Sequence, residues 1–459
     1  MRRFLPPIAV LTVVFVFSAL AVGCGGSSQK SDKPGLVTSW GKNGVVELPG
    51  FEVKQTIEDR SGRIVAVGNY KGNYAQVVRL LPDGSLDPSF GQNGVVRWPF
   101  HMFQGRFPNG MDFLGWDLAA LLPNGTIVLA GTNMIGIVDE KATLIVSELD
   151  QSGKVVKTFG QNGYFTADKR LYGCSKIGNG CLRQFYALAR KKTTCTRGPA
   201  GLAIQGDKIV VGADRFCAGD PRHIVVLRLS SNGALDRSFG TRGEVTLPVT
   251  QPPLIGGAPL LAFPDGRLVV ADITPKGGMV RLTGLLANGA LDPRFGRKGV
   301  AVTRSATNSD GLYGISALLA DRKGNLSVTG ANEDGLFLVR FYRSGQPDYF
   351  WSGSPWILSI TGRSNYENFG GAFGGSYSIA GLPGAFTQLK NGELVGAAAL
   401  LARITPDGVI DSSYPPQQLY GGGKLIIRGL LAASDGTVLV TLLKQNPSET
   451  YTANLARYR

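Results

Sequence analysis

The chain has 459 residues, 43% of them hydrophobic, and a formal net charge of +15 at pH 7. Its two histidines are too few for a histidine-rich metal centre, and it contains no Walker, dinucleotide-binding or G-x-S-x-G motif. No long stretch has a 3.6-residue hydrophobic period, whereas 64 glycines suit an all-β chain with many turns.

The first 23 residues predict a signal peptide. Arg2 and Arg3 precede an apolar run that ends in small residues before Cys24. The ending "AVGC" resembles the lipobox of bacterial lipoproteins, which implies cleavage before Cys24 and attachment of diacylglycerol and fatty acid such as palmitate. The alternative is an ordinary secreted protein with an incidental cysteine. Residues 24–35 are small and polar, which predicts a flexible tether between a lipid anchor in the bacterial cell membrane and an extracytoplasmic domain.

A glycine turn followed six residues later by an aromatic residue recurs through residues 36–459. The pairs are Gly84 and Phe90, Gly153 and Phe159, Gly233 and Phe239, Gly289 and Phe295, Gly345 and Trp351, and Gly408 and Tyr414, with Trp40 as a seventh aromatic. A second glycine turn lies between successive phrases, as in "SGRIVAVG", and joins two runs rich in Val, Ile and Leu. This is the pattern of a β-hairpin.

These repeats predict a seven-bladed β-propeller with about four strands per blade, because ring closure leaves only short sheet edges. The chain ends in the strand-like "YTANLARYR" without the phrase that should follow it, and "LVTSWGKNGVVEL" near the start supplies that phrase. The N- and C-terminal segments of the fold should therefore close the ring together, with Trp40 beside Leu455.

The segment "RLLPDGSLDPSFGQNGVV", taken with "SGRIVAVG", resembles the delta-60 repeat, a β-propeller-like repeat of bacterial extracellular proteins. The resemblance covers most of residues 36–459 and weakens at Trp351 and Tyr414, where Phe-Gly is lost. It implies the fold, and no established activity of that family comes with it.

An arginine five residues before the phrase glycine and an aspartate three after it predict ion pairs. They are Arg79 with Asp87, Arg228 with Asp236, Arg340 with Asp348, and Arg403 with Asp411. The alternative is that each aspartate only caps its turn. One unit has Glu148 and Val156 instead. Asp83 and Asp87 lack the further oxygen ligands that calcium needs, so we predict no metal and no other cofactor.

Four cysteines lie in or beside a long insertion at about residues 166–222. Because an exported protein meets oxidising conditions, we expect disulfides rather than zinc, whose usual spacing and histidine partners are missing. The propeller geometry favours Cys195–Cys217, leaving Cys174–Cys181 as a local loop.

Three insertions, at residues 98–116, 166–198 and 361–383, should leave from the propeller face opposite the glycine turns. Long loops on one face predict a binding surface. The candidate residues are Arg170, Lys176, Arg183, Arg190, Lys191, Lys192, Arg197, His101, Phe103, Tyr366 and Phe369. Their positive charge favours anionic polymers, lipid head groups or an acidic protein, and not nucleic acid outside the cell. A solvated loop without a ligand is the alternative.

We therefore expect a non-enzymatic binding or scaffold module, with no catalytic residue assigned. The alternative is a propeller hydrolase or lyase acting on wall or extracellular polysaccharide, because a pair of catalytic carboxylates cannot be recognised without the fold. His101 is the one histidine in a position to act as a general base.

Overall fold

The computed structural model describes most of the second of two compact units, Pro34–Arg459. The described residues are 35–72, 74–98, 112–135, 141–167, 195–217, 223–247, 258–274, 279–303, 312–332, 335–348, 385–388, 394–397, 400–404, 412–413, 417–418, 426–447 and 450–459. The predicted signal peptide, Cys24 and all but the last residue of the tether lie outside them. No helix in the described part of the chain is long and apolar enough to cross a membrane.

The described strands form seven antiparallel sheets. The first strand in the sequence, β1 (Val45–Leu48), joins the last sheet. Sheet 1 contains β2 (Phe51–Glu58), β3 (Ile64–Tyr70), β4 (Tyr74–Leu80) and β5 (Val95–Arg97). Sheet 2 contains β6 (Asp112–Leu121), β7 (Ile127–Ile135), β8 (Lys141–Leu149) and β9 (Tyr164–Thr166). Sheet 3 contains β10 (Cys195–Gln205), β11 (Lys208–Cys217), β12 (His223–Leu229) and β13 (Glu244–Thr246). Sheet 4 contains β14 (Leu260–Ala262), β15 (Leu268–Ile273), β16 (Val280–Leu285) and β17 (Val300–Val302).

The remaining sheets follow in the same order. Sheet 5 contains β18 (Leu312–Ala320), β19 (Leu326–Asn332) and β20 (Gly335–Phe341). Sheet 6 contains β21 (Ala385–Gln388), β22 (Leu394–Ala397), β23 (Leu400–Ile404) and β24 (Gln417–Gln418). Sheet 7 contains β25 (Ile426–Ala432), β26 (Val438–Gln445), β27 (Tyr451–Tyr458) and β1.

The sheets are arranged as a β-propeller. The first strands contact one another in succession, from β2 through β6, β10, β14, β18 and β21 to β25, and β25 contacts β2 again. The first strand of each sheet is therefore the innermost one. The prediction of an all-β propeller is confirmed, but of the seven predicted four-stranded blades only six are complete in the described part of the chain. Among the described residues six sheets have four strands and sheet 5 has three, because the segment expected to supply its fourth strand lies outside them.

Sheet 7 joins the two ends of the fold. In the antiparallel pair β1–β27, Val45 lies opposite Ala456 and Val46 lies opposite Leu455. Trp40 and Leu455 are buried in the same hydrophobic cluster, as the sequence predicts. The closing contact thus combines four residues of strand pairing with burial of a large aromatic side chain, which contributes about 2 kcal/mol or more.

Hydrophobic cores lie between neighbouring sheets. One cluster combines Val65 and Val77 of sheet 1 with Leu129 and Ile145 of sheet 2, and similar clusters join sheets 2 and 3 and sheets 3 and 4. Because a middle strand has a neighbouring blade on both faces, its residues are apolar in continuous runs rather than alternately. Six of the seven residues of β3 are buried for this reason.

Five copies of the repeated phrase lie among the described residues with their aromatic, and each joins its sheet to the next. In these copies the aromatic is buried, and the glycine after it donates a backbone hydrogen bond to the turn of the following phrase, as from Gly91 N to Ser152 O at 2.8 Å. The turn glycine of that following phrase, Gly153, has a φ of +83°, and a Cβ there would meet the Phe90 ring at 3.0 Å and Gly91 N at 3.0 Å. Positive φ and this close approach both require glycine. The phrase recurs because each copy packs against the next one and donates a hydrogen bond to it.

The limits of two predicted insertions are corrected. Residues 98–116 were expected to form a loop, but β6 begins at Asp112, and Trp98 and Trp116 are buried with ring centroids 5.4 Å apart. The insertion expected at 166–198 ends earlier, because β10 begins at Cys195. In both places strand pairing extends into sequence that lacks regular alternation.

Candidate functional site

Charged residues occupy an irregular position in the innermost strands of sheets 7, 1 and 2. The pairing register shifts between Val53 and Gln55, between Trp116 and Leu118, and between Ile427 and Gly429. Each shift is a β-bulge that leaves one residue unpaired, and these residues are Lys54, Asp117 and Arg428. A bulge redirects a side chain, and bulges are common beside functional sites.

The three bulged residues and Glu52 form one cluster, which we call the axial cluster. Glu52 Oε1 accepts hydrogen bonds from Lys54 Nζ at 2.5 Å and from Arg428 Nη2 at 3.2 Å. Thr132 Oγ1 donates to Asp117 Oδ2 at 3.4 Å. Two cations thus share one carboxylate, while the second carboxylate lies within electrostatic reach of both cations.

The cluster lies close to the propeller axis. Arg428 belongs to sheet 7 and Asp117 to sheet 2, with sheet 1 between them, yet their charges influence each other. In a ring of sheets, groups from non-adjacent blades approach one another only near the centre. The side chains are mostly buried, and the exposed fractions of Glu52, Lys54 and Arg428 are 21%, 12% and 7%.

Burial changes the ionisation of the cluster. It raises the pKa of Asp117 to about 6, and the nearby charge of Lys54 opposes this rise. Burial also lowers the pKa of Lys54, assisted by the positive charge of Arg428 and opposed by Glu52. With a pKa of about 6, Asp117 exchanges a proton near neutral pH.

Two bulged positions on the other side of the axis carry small residues. The register of β10 shifts around Ala200, and that of β18 shifts around Tyr313 and again, nearer the hairpin turn, around Ser316, whose Oγ lies 2.8 Å from Thr329 Oγ1. The bulge nearest the hairpin turn therefore carries a charged residue in sheets 7, 1 and 2 and a small residue in sheets 3 and 5. Sequence reasoning missed this asymmetry. A signal existed: Lys54, Asp117 and Arg428 each stand eight residues before a hairpin glycine.

The predicted Arg–Asp partners meet at the junction after the third strand. Arg79 Nε donates to Asp87 Oδ2 at 2.7 Å, and Arg228 Nε donates to Asp236 Oδ2 at 2.9 Å. The other carboxylate oxygen of Asp87 accepts the backbone N–H of Ser89, so the aspartate caps its turn as well as pairing with the arginine. The ion pair and the turn cap, which the sequence leaves as alternatives, therefore both occur at Asp87.

These arginines also reach the next sheet. Arg79 Nη1 donates to Gln151 O at 2.7 Å, and Arg228 Nη1 donates to Ala287 O. Burial opposes the ionisation of Asp236, but hydrogen bonds from Lys208 and Ser238 and the charge of Arg228 hold its pKa well below the usual range. The junction arginines thus stabilise the contact between neighbouring blades as well as their own turn.

Two predicted pairs differ from this pattern. Arg340 lies 2.9 Å from Asp321 Oδ2 and 4.0 Å from Asp348 Oδ2, so its nearer carboxylate belongs to a hairpin turn rather than to the phrase. Arg403 lies in β23, and Asp411 lies outside the described residues.

Glu148 takes the place of the junction arginine in sheet 2. Only 4% of it is exposed, and its Oε1 has no hydrogen-bond partner among the described residues. Loss of water raises the pKa of this carboxyl to about 7. Val156 stands where other units have the partner aspartate, and its N–H donates to Glu148 O.

The glycine-turn face, which carries the hairpin turns and the phrases, is basic in sheets 3 to 5. Eight cations are exposed there: Arg237, Arg242, Arg294, Arg297, Lys298, Arg322, Lys323 and Arg343. Arg242 and Lys298 have φ values of 58° and 55°, at a position where earlier phrases have asparagine. A shallow cleft beside Arg294 is lined by Asp265, Arg267 and Asn288.

Comparisons with known proteins agree with this architecture. Residues 60–90 and 205–239 match the family described as domain of unknown function (DUF5122) beta-propeller. The chain is a β-propeller repeat protein. No curated protein matches its sequence.

Among solved structures, the chain is similar to regucalcin from Agrobacterium tumefaciens, a calcium-binding protein, with 12% identity and a TM-score of 0.34, covering 90% of this chain and 92% of that one. It is also similar to prolyl oligopeptidase B from Galerina marginata, with 11% identity and a TM-score of 0.42, covering 85% of this chain and 47% of that one. A third similar structure is the Hadza microbial sialidase Hz136, with 10% identity and a TM-score of 0.38, covering 64% of this chain and 57% of that one.

Most of the predicted binding residues lie outside the described part of the chain. They are Arg170, Lys176, Arg183, Arg190, Lys191, Lys192, His101, Phe103, Tyr366 and Phe369, together with Cys174 and Cys181. The backbone of Arg197 lies in β10, and Cys195 lies directly opposite Cys217 in the pair β10–β11. Among the described residues, no group of three or more His, Cys, Asp or Glu side chains could hold a metal ion.

Proposed function

We propose that the protein is an extracytoplasmic lipoprotein whose propeller is a non-enzymatic binding module for an anionic polymer of the cell envelope. Its repeats are proposed to be of the delta-60 type. The anchor is supported by the lipobox-like "AVGC" and by the polar tether after Cys24. The binding role is supported by the net charge and by the basic part of the glycine-turn face, which is the face opposite the insertions that the sequence predicts to bind.

The observation that carries the binding role is the backbone position of Arg242 and Lys298. Asn43, Asn93 and Asn162 hold the same left-handed turn position in other phrases. Asparagine tolerates positive φ better than a long side chain, for which the conformation costs about 1–2 kcal/mol. Local backbone preference does not favour a cation here. We attribute the two cations to contact with an anionic ligand, because both side chains are exposed on neighbouring blades.

A binding assay at several salt concentrations tests this role. The full-length protein in detergent is titrated with polygalacturonate, and Arg242→Asn/Lys298→Asn is compared with it. Each lost contact between a cation and a carboxylate of the polymer lowers the dependence of the affinity on salt concentration. We expect the double variant to lose about tenfold in affinity at low salt. Arg60→Asn is the matched control, since Arg60 is an exposed cation on a hairpin turn of sheet 1. Equal binding by the double variant and this control would contradict the proposal.

The anchor has its own test. Intact-mass and peptide analysis of protein expressed in a bacterial host should show an acylated N-terminal Cys24, and Cys24→Ser should release the protein from the membrane fraction. An unmodified cysteine in membrane-free protein would refute lipidation without affecting the binding role.

We also propose the disulfide Cys195–Cys217. Directly opposite residues in an antiparallel pair have Cα atoms about 4.5–5.5 Å apart, which lies within the range that a disulfide spans. Peptide mapping without reduction should recover the two cysteines in one linked species. A linkage of either one to Cys174 or Cys181 instead would contradict this pairing.

Polysaccharide hydrolysis is the second candidate function. The observation in its favour is that Asp117, with a pKa of about 6, lies in the same cluster as Glu52. A protonated carboxyl is what a general acid requires. Glu52 already pairs with two cations, which weakens it as a nucleophile or base. Release of reducing sugar that Asp117→Asn abolishes would favour the enzyme over the binding module.

A further inference from the structure

The axial cluster has hydrogen-bonding capacity that the described protein groups do not use. Arg428 is 7% exposed and its Nε has no hydrogen-bond partner among the described residues, while Nη2 donates to Glu52. A guanidinium has five N–H donors in a fixed plane and suits carboxylate oxygens. A buried donor without a partner destabilises the fold, and an incoming oxygen that accepts its hydrogen bond would offset this cost.

The charges of the cluster favour a single negative charge on such a ligand. Glu52 neutralises one of the two cations, Lys54 and Arg428, and Asp117 neutralises the other only while it is ionised. With Asp117 protonated, the described side chains of the cluster carry one net positive charge. A monoanion would restore neutrality, whereas a dianion would leave an excess negative charge in a poorly hydrated place.

Two described bulged positions across the axis carry small residues. At the bulge nearest the hairpin turn, sheets 3 and 5 have Ala200 and Ser316, whereas sheets 7, 1 and 2 have long charged residues; β18 has a further bulge at Tyr313. Ligand sites of proteins are concave and place a few polar groups against otherwise small or apolar walls. The cluster remains partly accessible through Glu52.

We propose that the propeller axis is a binding site for a small carboxylate monoanion, held by Arg428 and Lys54. This site is separate from the basic glycine-turn face and does not depend on polymer binding there.

Proton uptake accompanies the anion. Asp117 is the proton acceptor, and the charged or titratable groups that act on it or on its partners are Glu52, Lys54, Arg428 and Tyr451. Burial raises the pKa of Asp117, and a second negative charge beside it raises this pKa further. By linkage, the ligand binds more tightly as pH falls, by at most tenfold per pH unit for one proton.

Isothermal titration of the full-length protein with D-glucuronate tests the site, with D-glucose as the uncharged probe. We expect glucuronate to bind about tenfold more tightly at pH 5.5 than at pH 7.5 and glucose not to bind. Titrations in two buffers with different ionisation enthalpies should show uptake of up to one proton per ligand. No glucuronate binding, or tighter binding of inorganic phosphate, would overturn the proposal.

Two variants locate the site. Arg428→Lys should lower the affinity for glucuronate at least tenfold, because it removes the planar donor edge. Asp117→Asn should bind at pH 7.5 as tightly as the wild type at pH 5.5 and should take up no proton. Arg60→Gln, an exposed cation far along the sheet from the bulge, should leave binding unchanged. If Asp117→Asn fails to fold, absence of proton uptake by the wild-type protein would still overturn the role of Asp117.

Discussion

Glu148 provides the sharpest test of how the blade junctions are stabilised. Burial without a hydrogen-bond partner for Oε1 raises the pKa of its carboxyl from 4.5 to about 7. Because the folded-state pKa is raised, the stability contributed by this group is present below about pH 4.5 and is lost as pH rises through about 7. We expect Glu148→Gln to remove this dependence on pH.

The size of the effect follows from the two pKa values. Between pH 5 and pH 8 the carboxyl costs the folded state about 2.5 kcal/mol of unfolding free energy. For a domain of this size that corresponds to about 3 °C in the thermal midpoint. The difference in midpoint between Glu148→Gln and the wild type should therefore be about 3 °C larger at pH 8 than at pH 5.

Circular dichroism during heating gives the midpoints at both pH values. Glu47→Gln is the control, since Glu47 is an exposed carboxyl on β1. If Glu148→Gln and the wild type changed in parallel with pH, the buried carboxyl would have to be ionised at no cost, and the account of this junction would be wrong.

The remaining predictions concern one junction ion pair and two glycine turns. Arg228→Ala and Asp236→Ala should each destabilise the fold, and their double-mutant cycle should give a coupling of about 1–3 kcal/mol in urea unfolding; additive effects would refute the ion pair. Gly233→Ala should cost about 3 kcal/mol or more, because its Cβ would lie 2.5 Å from Gly160 N. Gly436→Ala should cost only about 1–2 kcal/mol, because that glycine has a similar φ with nothing within 4 Å. Equal losses in the two glycine variants would mean that the close approach is unimportant.

Local and repeated features of the fold could be predicted from the sequence. Glycine turns between Val- and Ile-rich runs specify hairpins, and the missing final phrase predicted that Trp40 would meet Leu455. The break in the Arg–Asp pattern at Glu148 and Val156 was also visible, although the burial of Glu148 was not. These features depend on short spacing within one repeat, which sequence displays directly.

The spacing to a hairpin glycine marks Lys54, Asp117 and Arg428 in the sequence, but it does not predict that they form one cluster. Lys54, Asp117 and Arg428 lie in three different repeats, and only ring closure brings the first and last of these blades beside each other. Their bulges also break the strand alternation that sequence reasoning uses. The pairing of Arg340 with Asp321 was missed for a related reason, since a long side chain can choose between two carboxylates at similar distance.

The pair β1–β27 closes the propeller ring through hydrogen bonds and packing, without a covalent connection between the two strands. Sheet 7 cannot be completed until β27 has been synthesised. Until then β1 has no neighbouring strand to pair with. When two such chains associate, β1 of one chain pairs with β27 of the other, which gives a strand-swapped dimer with the same local pairing. High concentration during refolding should therefore favour exchange at this strand pair before any other blade.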